Sequence, residues 1–289
     1  MERILVPLDE SLLAQAILPI VLHLARDQGT EVILLRAVQF QHPLWRDAVT
    51  AEVQTLTEAE RALQALAASL QEQRVRQARW VVWSAEPVQA IRDAAKAYRA
   101  DLIAMATHGR GGLNRLLLGS VAAAVVGSAP VPVLLIRGEI PLKTWSLRRL
   151  LVPLSGDEAS EAILPVAERF AGPADLELHL LEVVEPLPAS VEYVPGEELW
   201  AFRRTEAERY LEKVAERLVA KGLRVTWSVR AGRAPEAIIS AAKETGADLI
   251  AMATHGWGPL GRLVFGSIAD EVLRASSVPV LLLRVNESE

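Results

Sequence analysis

The decapeptide ADLIAMATHG stands at Ala100–Gly109 and again at Ala247–Gly256. Both copies open on Ala-Asp and pass through a short apolar run. Both end on Thr-His-Gly, followed after nine residues by Gly-Ser, at Gly119-Ser120 and Gly266-Ser267. A short apolar run, then small residues, then a helical pattern reads as a buried strand turning into a helix. Two such strand-to-helix units in one chain imply two copies of a sheet built the same way.

The self-similarity extends in both directions. RILVPLDESLLAQAILP (Arg3–Pro19) aligns without a gap to RLLVPLSGDEASEAILP (Arg149–Pro165). EVILLRAV (Glu31–Val38) matches ELHLLEVV (Glu177–Val184), TEAER recurs at Thr57 and Thr205, and VPVLLIR (Val131–Arg137) matches VPVLLLR (Val278–Arg284). The chain is therefore one domain written twice, over residues 1–138 and 148–286, joined by GEIPLKTWS (Gly138–Ser146), which has no periodicity.

Within the first half, strand-length apolar runs alternate with helical patterns. RILVPL, EVILLRAV, RWVVW, DLIAMA and VPVLLIR read as five strands. Between them, SLLAQAILPIVLHLA (Ser11–Ala25) reads as one helix with Leu13, Ile17, Ile20, Val21 and Leu24 on its apolar face. TEAERALQALAASLQEQ reads as a helix opened by a Thr57/Glu60 capping box, and PVQAIRDAAKAYR as a helix with Pro87 in its first turn. The fold class is α/β: two tandem, doubly wound, five-stranded parallel sheets.

Composition narrows the function. The 289 residues carry 31 basic and 36 acidic side chains, a net charge of -5, with no long basic run, which argues against a general nucleic-acid binder. There is no cysteine, so disulfides, thiolate catalysis and cysteine-based zinc sites are excluded, and a reducing cytoplasm is expected. The opening MERILVPLDE has no charged-then-apolar leader, and the apolar runs are too short to span a bilayer. No HExxH and no two histidines at metal spacing occur, so no metal site is expected.

In an open parallel sheet, ligands bind beyond the carboxyl ends of the strands. Two such ends stand out, after strand one at Asp9 and after strand four at the repeated motif. Glycine lets main chain approach a ligand closely, and the first amides of a helix have no internal partner. Gly109, Gly119, Ser120 and the helix start can therefore cradle a di- or triphosphate without a reactive side chain, as can Gly256, Gly266 and Ser267. A strand-to-helix turn with no ligand explains the same glycines.

ILVPLDES, ADLIAMATHG, the nine-residue spacer, LLLGSVA and PVPVLLIR together resemble the universal stress protein family, over nearly the whole chain in two copies. Members that bind ATP carry Gly-x2-Gly-x9-Gly-(Ser/Thr). Here the first glycine is Ala106 or Ala253, which is tolerable if its φ is negative. The resemblance implies an adenine nucleotide alpha hydrolase-like fold, strand order 3-2-1-4-5 and pairing of the two domains through their fifth strands. As ligand it implies ATP, with Mg2+ as counter-ion, or another adenine nucleotide. In the first half it implies a site of Pro7, Asp9, Ala37, Met105, Ala106, Gly109, Arg110, Gly119, Ser120 and Val121. Asp9 meets the adenosine moiety, the Ala37 main chain the adenine edge, and Met105 the base. In the second half the matching residues are Pro153, Ser155, Val183, Met252, Ala253, Gly256, Gly266, Ser267 and Ile268. Ser155 lacks the Asp9 carboxylate, though Asp157 lies nearby, and Val183 adds bulk, so the first half is expected to hold nucleotide better.

Other residues have dull explanations beside the functional ones. His108 and His255 fit turns as well as bases, Arg110 is matched by Trp257, and Arg115 and Arg262 fit either phosphate or solvent. Asp9 also fits a helix start, Trp80 and Trp227 fit the core, and the TEAER charges fit a solvated face. No nucleophile–base pair is positioned for rapid turnover, so catalytic residues are not assigned and any hydrolysis is expected to be slow. Two alternatives remain: an adenylating or ATP-hydrolysing enzyme, for which SGD in the second half is a partial motif, and a domain that has lost nucleotide and works only through protein contacts.

Overall fold

Runs of Val, Ile and Leu build five strands in each half, and the β-branched and apolar side chains seal both faces of each sheet. The computed structural model describes residues 1–26, 29–40, 46–107, 119–137, 145–171, 176–185, 196–255 and 266–285. The chain divides into two units, Met1–Thr144 and Trp145–Glu289.

The first unit runs β1 (Arg3–Pro7), α1 (Leu12–Gln15), α2 (Leu18–Ala25), β2 (Glu31–Val38), α3 (Arg46–Glu72), β3 (Gln77–Ser84), α4 (Pro87–Ala97), β4 (Leu102–Thr107), α5 (Ser120–Val126) and β5 (Val133–Arg137). The second runs β6 (Arg149–Leu154), α6 (Glu158–Glu161), α7 (Leu164–Ala171), β7 (Glu177–Val184), α8 (Gly196–Val219), β8 (Arg224–Ala231), α9 (Ala234–Thr245), β9 (Leu249–His255), α10 (Ser267–Ala275) and β10 (Val280–Val285).

Within the first unit the strand order is β3-β2-β1-β4-β5, and within the second β8-β7-β6-β9-β10, all pairs parallel. This is the order 3-2-1-4-5 that the resemblance implies. The direction of travel reverses between β1 and β4. Right-handed crossovers that run opposite ways place their helices on opposite faces, and so the sheet is covered on both. Registers repeat between halves: Leu5 pairs with Ile33 as Leu151 pairs with His179. The central strands are the core, with Ile4, Leu5, Val6, Ile103 and Ala104 fully buried and matched by Leu150, Leu151, Val152, Ile250 and Ala251.

Three details depart from the sequence reading. The helix expected over Ser11–Ala25 is two, broken ahead of Pro19. A continuous helix would need the missing Pro19 N–H to bond Gln15 and would drive the ring into that carbonyl, so α1 stops at Gln15 and Pro19 sits in the first turn of α2. Pro165 acts identically, and α6 stops at Glu161.

Thr57 is not a cap. It lies deep inside α3, and its hydroxyl donates to the Val53 carbonyl at 2.8 Å. Thr205 in α8 does the same toward Ala201 at 2.9 Å. The TEAER charges do face solvent, with Ala59, Leu63, Ala67 and Leu70 forming the buried stripe of α3.

Trp80 and Trp227 are not core residues. They are 40% and 38% exposed, because β3 and β8 are outer strands of their units. Pro87 does open α4, where the Glu86 carboxylate accepts from the Val88 and Gln89 amides. Among the described residues, no helix is long and apolar enough to cross a membrane.

Candidate functional site

The reversal of order brings the carboxyl ends of β1 and β4 side by side, Ile4 pairing with Leu102 and Leu5 with Ile103. Leu150–Leu249 and Leu151–Ile250 do this in the second unit. The expected site residues gather at these ends. Pro7 closes β1, with Asp9 exposed two residues beyond. Met105 and Ala106 are buried near the end of β4. Ala37 lies near the end of β2, opposite Trp83. In the second unit Pro153 is in β6, Ser155 just past it, Val183 in β7, and Met252 and Ala253 in β9.

Ala106 and Ala253 both have negative φ, since the positive-φ residues other than glycine among those described are Arg74 and Arg99. The departure from glycine therefore carries no backbone strain. Gly109, Arg110 and Gly256, together with His108, Arg115, Trp257 and Arg262, lie outside the described residues.

Gly119 is the N-cap of α5, and Gly266 is the N-cap of α10. Among the described residues, neither helix start has a side-chain cap. Ser120 and Ser267, the first helical residues, are exposed, Val121 is half-buried and Ile268 is 40% exposed. Uncapped amides with the positive end of the helix dipole behind them suit an anion.

Two threonines that the sequence reading passed over sit here. In the second unit the buried Thr254 hydroxyl accepts from the Gly266 amide at 3.0 Å, fastening the start of α10 to the end of β9. Its counterpart Thr107 donates instead to the Ile136 carbonyl at 3.2 Å.

The loop after the first strand is held differently in each half. In the first, Asp9 Oδ1 accepts from the Ser11 amide at 2.8 Å and the Ser11 hydroxyl at 2.5 Å, while Ser11 caps α1 through the Ala14 amide at 3.1 Å. Asp9 is thus one step removed from the helix cap. In the second the acid and the hydroxyl have changed places. Ser155 donates to Asp157 Oδ2 at 3.0 Å, and Asp157 Oδ1 caps α6 through the Ser160 amide at 2.7 Å. Asp157 is thereby engaged on both oxygens, whereas Asp9 is engaged on Oδ1 alone among the described residues.

A further contrast lies on the second strand. Arg36 of β2 donates from Nε to the Leu8 carbonyl at 2.7 Å and from Nη2 to the Asp9 carbonyl at 3.0 Å. The matching residue in β7 is Glu182. Its Oε2 is buried without a hydrogen-bond partner among the described residues, and burial pushes its carboxyl up, an effect Arg203 partly offsets. This reversal of charge is visible when the two halves are aligned, and was the one sequence signal for Arg36. Among the described residues no group of three or more His, Asp or Glu is placed to hold a metal.

The family model described as "Universal stress protein family" matches residues 1–137 and 146–284. Universal stress proteins of Mycobacterium bovis and Mycobacterium tuberculosis are each 32% identical over 196 residues, covering 64% of this chain and 62% of theirs. The chain thus spans less than two thirds of the length of these relatives. A Thermus aquaticus universal stress protein is 32% identical over 143 residues, covering 47% of this chain and 98% of its own. The crystal structure of a universal stress protein from Archaeoglobus fulgidus superimposes with a TM-score of 0.73 at 22% identity, over 99% of this chain and 97% of that one.

Proposed function

The chain belongs to the universal stress protein family, with one copy of the domain in each half, and from that premise we propose that it binds ATP or a related adenine nucleotide as a ligand rather than turning it over. The role is regulatory or stress-adaptive, in the cytoplasm. The two domains span 1–138 and 148–286. The observation that carries this reading is the pair of glycine-started helices that follow β4 and β9, whose starts have no side-chain cap among the described residues. Main-chain amides there supply the donors a polyphosphate needs, and Ser120 or Ser267 adds a hydroxyl. The β1–α1 loop with Asp9, the main chain at Ala37 and the Met105 side chain take the adenosine end. Gly109 and Arg110, and Gly256 in the second half, complete the phosphate side.

The first half is proposed as the stronger site. Its last helix has no acid in the first turn, whereas α10 carries Asp270 there and Glu271 next to it. These acids are paired with Arg274 at 2.8 Å and Arg233 at 2.9 Å, which reduces but does not reverse their repulsion of an anion. With Ser155 in place of Asp9 and Asp157 engaged on both oxygens, the second half is proposed as the weaker nucleotide site.

Thermal shift with ATP, ADP and AMP tests the reading, together with an assay for nucleotide retained through purification. A ligand at about 100 times its dissociation constant adds about 2.7 kcal/mol of stability. No shift with any adenine nucleotide, and none retained, would refute it. Release of ADP or pyrophosphate faster than roughly 0.1 per second, against typical turnover of roughly 1–1000 per second, would make the protein an enzyme instead.

A further inference from the structure

We propose that Arg36 is a positioning residue for ligand recognition in the first half, acting through Asp9 to select nucleotides that keep their ribose hydroxyls. The inference rests on the nucleotide reading above. Arg36 projects from β2 and is only 11% exposed. Its guanidinium forks onto two successive loop carbonyls, Leu8 at 2.7 Å and Asp9 at 3.0 Å. The third contact, to Glu10 Oε1 at 3.4 Å, is with a carboxylate that is 90% exposed and adds little. The Leu8 amide donates to the Leu35 carbonyl at 2.8 Å, so strand and side chain together pin the loop to β2.

The Asp9 carboxylate is oriented in turn. Ser11 takes Oδ1 twice, and Oδ2 accepts no hydrogen bond among the described residues. A carboxylate only accepts, so whatever meets Oδ2 must be a donor. An adenine nucleotide offers two kinds of donor, the amino group of the base and the hydroxyls of the ribose; with the base edge taken by the Ala37 main chain in the reading above, the ribose hydroxyls are left for Oδ2. A planar guanidinium with several fixed donors can hold two carbonyls at once, which Lys cannot do with the same geometry and Glu182, at the matching position in the second half, cannot do at all.

The test is competition against photolabelling by 8-azido-ATP on the full chain, with labelled peptides assigned to either half by mass spectrometry. ATP and 2′,3′-dideoxy-ATP are the competitors. Wild type should prefer ATP in the first half. Arg36→Met and Asp9→Asn should each weaken ATP about tenfold, and the double variant should also lose about tenfold, because the two act as one unit. Arg36→Met should bring the preference for ATP over the dideoxy compound close to one, which general loosening of the fold would not do. Arg36→Lys, which keeps stem and charge, should melt near wild type yet lose part of the preference, and this covers the case in which Arg36→Met fails to fold. Unchanged preference in both Arg36 variants, or losses that multiply to about a hundredfold in the double variant, would overturn the role of Arg36 alone. Labelling of neither half that ATP can compete away, in wild type, would overturn the nucleotide reading itself.

Discussion

His179 Nδ1 lies 2.9 Å from the Thr226 hydroxyl. That hydroxyl also donates to Glu177 Oε1 at 3.1 Å, so toward His179 it is an acceptor and Nδ1 carries the proton. In the neutral ring, Nε2 then accepts from Ser228 at 2.9 Å. Burial holds its pKa below the usual histidine range, Glu177 opposes this, and Arg149 and Arg230 add to it. Ile33 occupies the matching position in the first half.

Acid should therefore destabilise the second domain before carboxylates titrate. The folded state resists the proton that the unfolded chain accepts at about pH 6.5, so the contribution of His179 is complete above that value and is lost as pH falls through the lowered folded pKa. Glu177 adds a second loss at lower pH. Burial, the largest single influence, would raise its pKa, but hydrogen bonds from Arg149 and Thr226 together with the charges of Arg149 and Arg224 outweigh it and hold the carboxyl below the usual range. Denaturant midpoints at stepped pH read this out. His179→Ile should flatten the profile on the acid side of about pH 6.5. An equally steep profile in that variant would show that other groups carry the effect.

Helix boundaries give a second prediction. Asp157 caps α6, so Asp157→Ala should cost about 1 kcal/mol. Thr57 is a mid-helix residue bonded to Val53, so Thr57→Ala should be neutral or stabilising by about 0.5 kcal/mol. Chemical denaturation distinguishes the two. A loss of about 1 kcal/mol at Thr57 would restore it as a cap.

The ends of α4 and α9 differ in a way that stability can report. The turn after α9 uses Gly246 at φ 65, while the matching Arg99 adopts φ 50 with a full side chain. Left-handed backbone costs roughly 1–2 kcal/mol for a residue with Cβ. Arg99→Gly should stabilise the first domain by about 0.5–1 kcal/mol after the extra unfolded-state entropy of glycine is subtracted. A lower melting temperature would mean that Arg99 makes compensating contacts.

Nucleotide binding should fail one half at a time. At Gly266 a Cβ would meet Thr254 Oγ1 at 3.5 Å, an ordinary contact, so the fold should accept a side chain there. Gly119, at φ -58 and ψ 140, is likewise in a region open to any residue. Gly119→Val and Gly266→Val should each fold and each abolish ligand binding in its own half. Either variant binding nucleotide with full affinity in that half would move the phosphate elsewhere.

Much of the architecture is local chemistry repeated. Strand length, apolar runs, the glycines ahead of each last helix and the duplication are properties of neighbouring residues, and so the five strands per half were legible without coordinates. The Pro19 break was legible too, since it follows from one missing N–H, though helical spacing on both sides concealed it. What the tertiary structure decided is everything that depends on which strands adjoin. Only the strand order makes Trp80 and Trp227 edge residues. Only the parallel register of β7 and β8 sets His179 against Thr226, and only the return of β2 beside β1 lets Arg36 reach the carbonyls of Leu8 and Asp9. Such pairs are far apart in sequence and meet by packing of the backbone, so no pattern of spacing within either segment announces them.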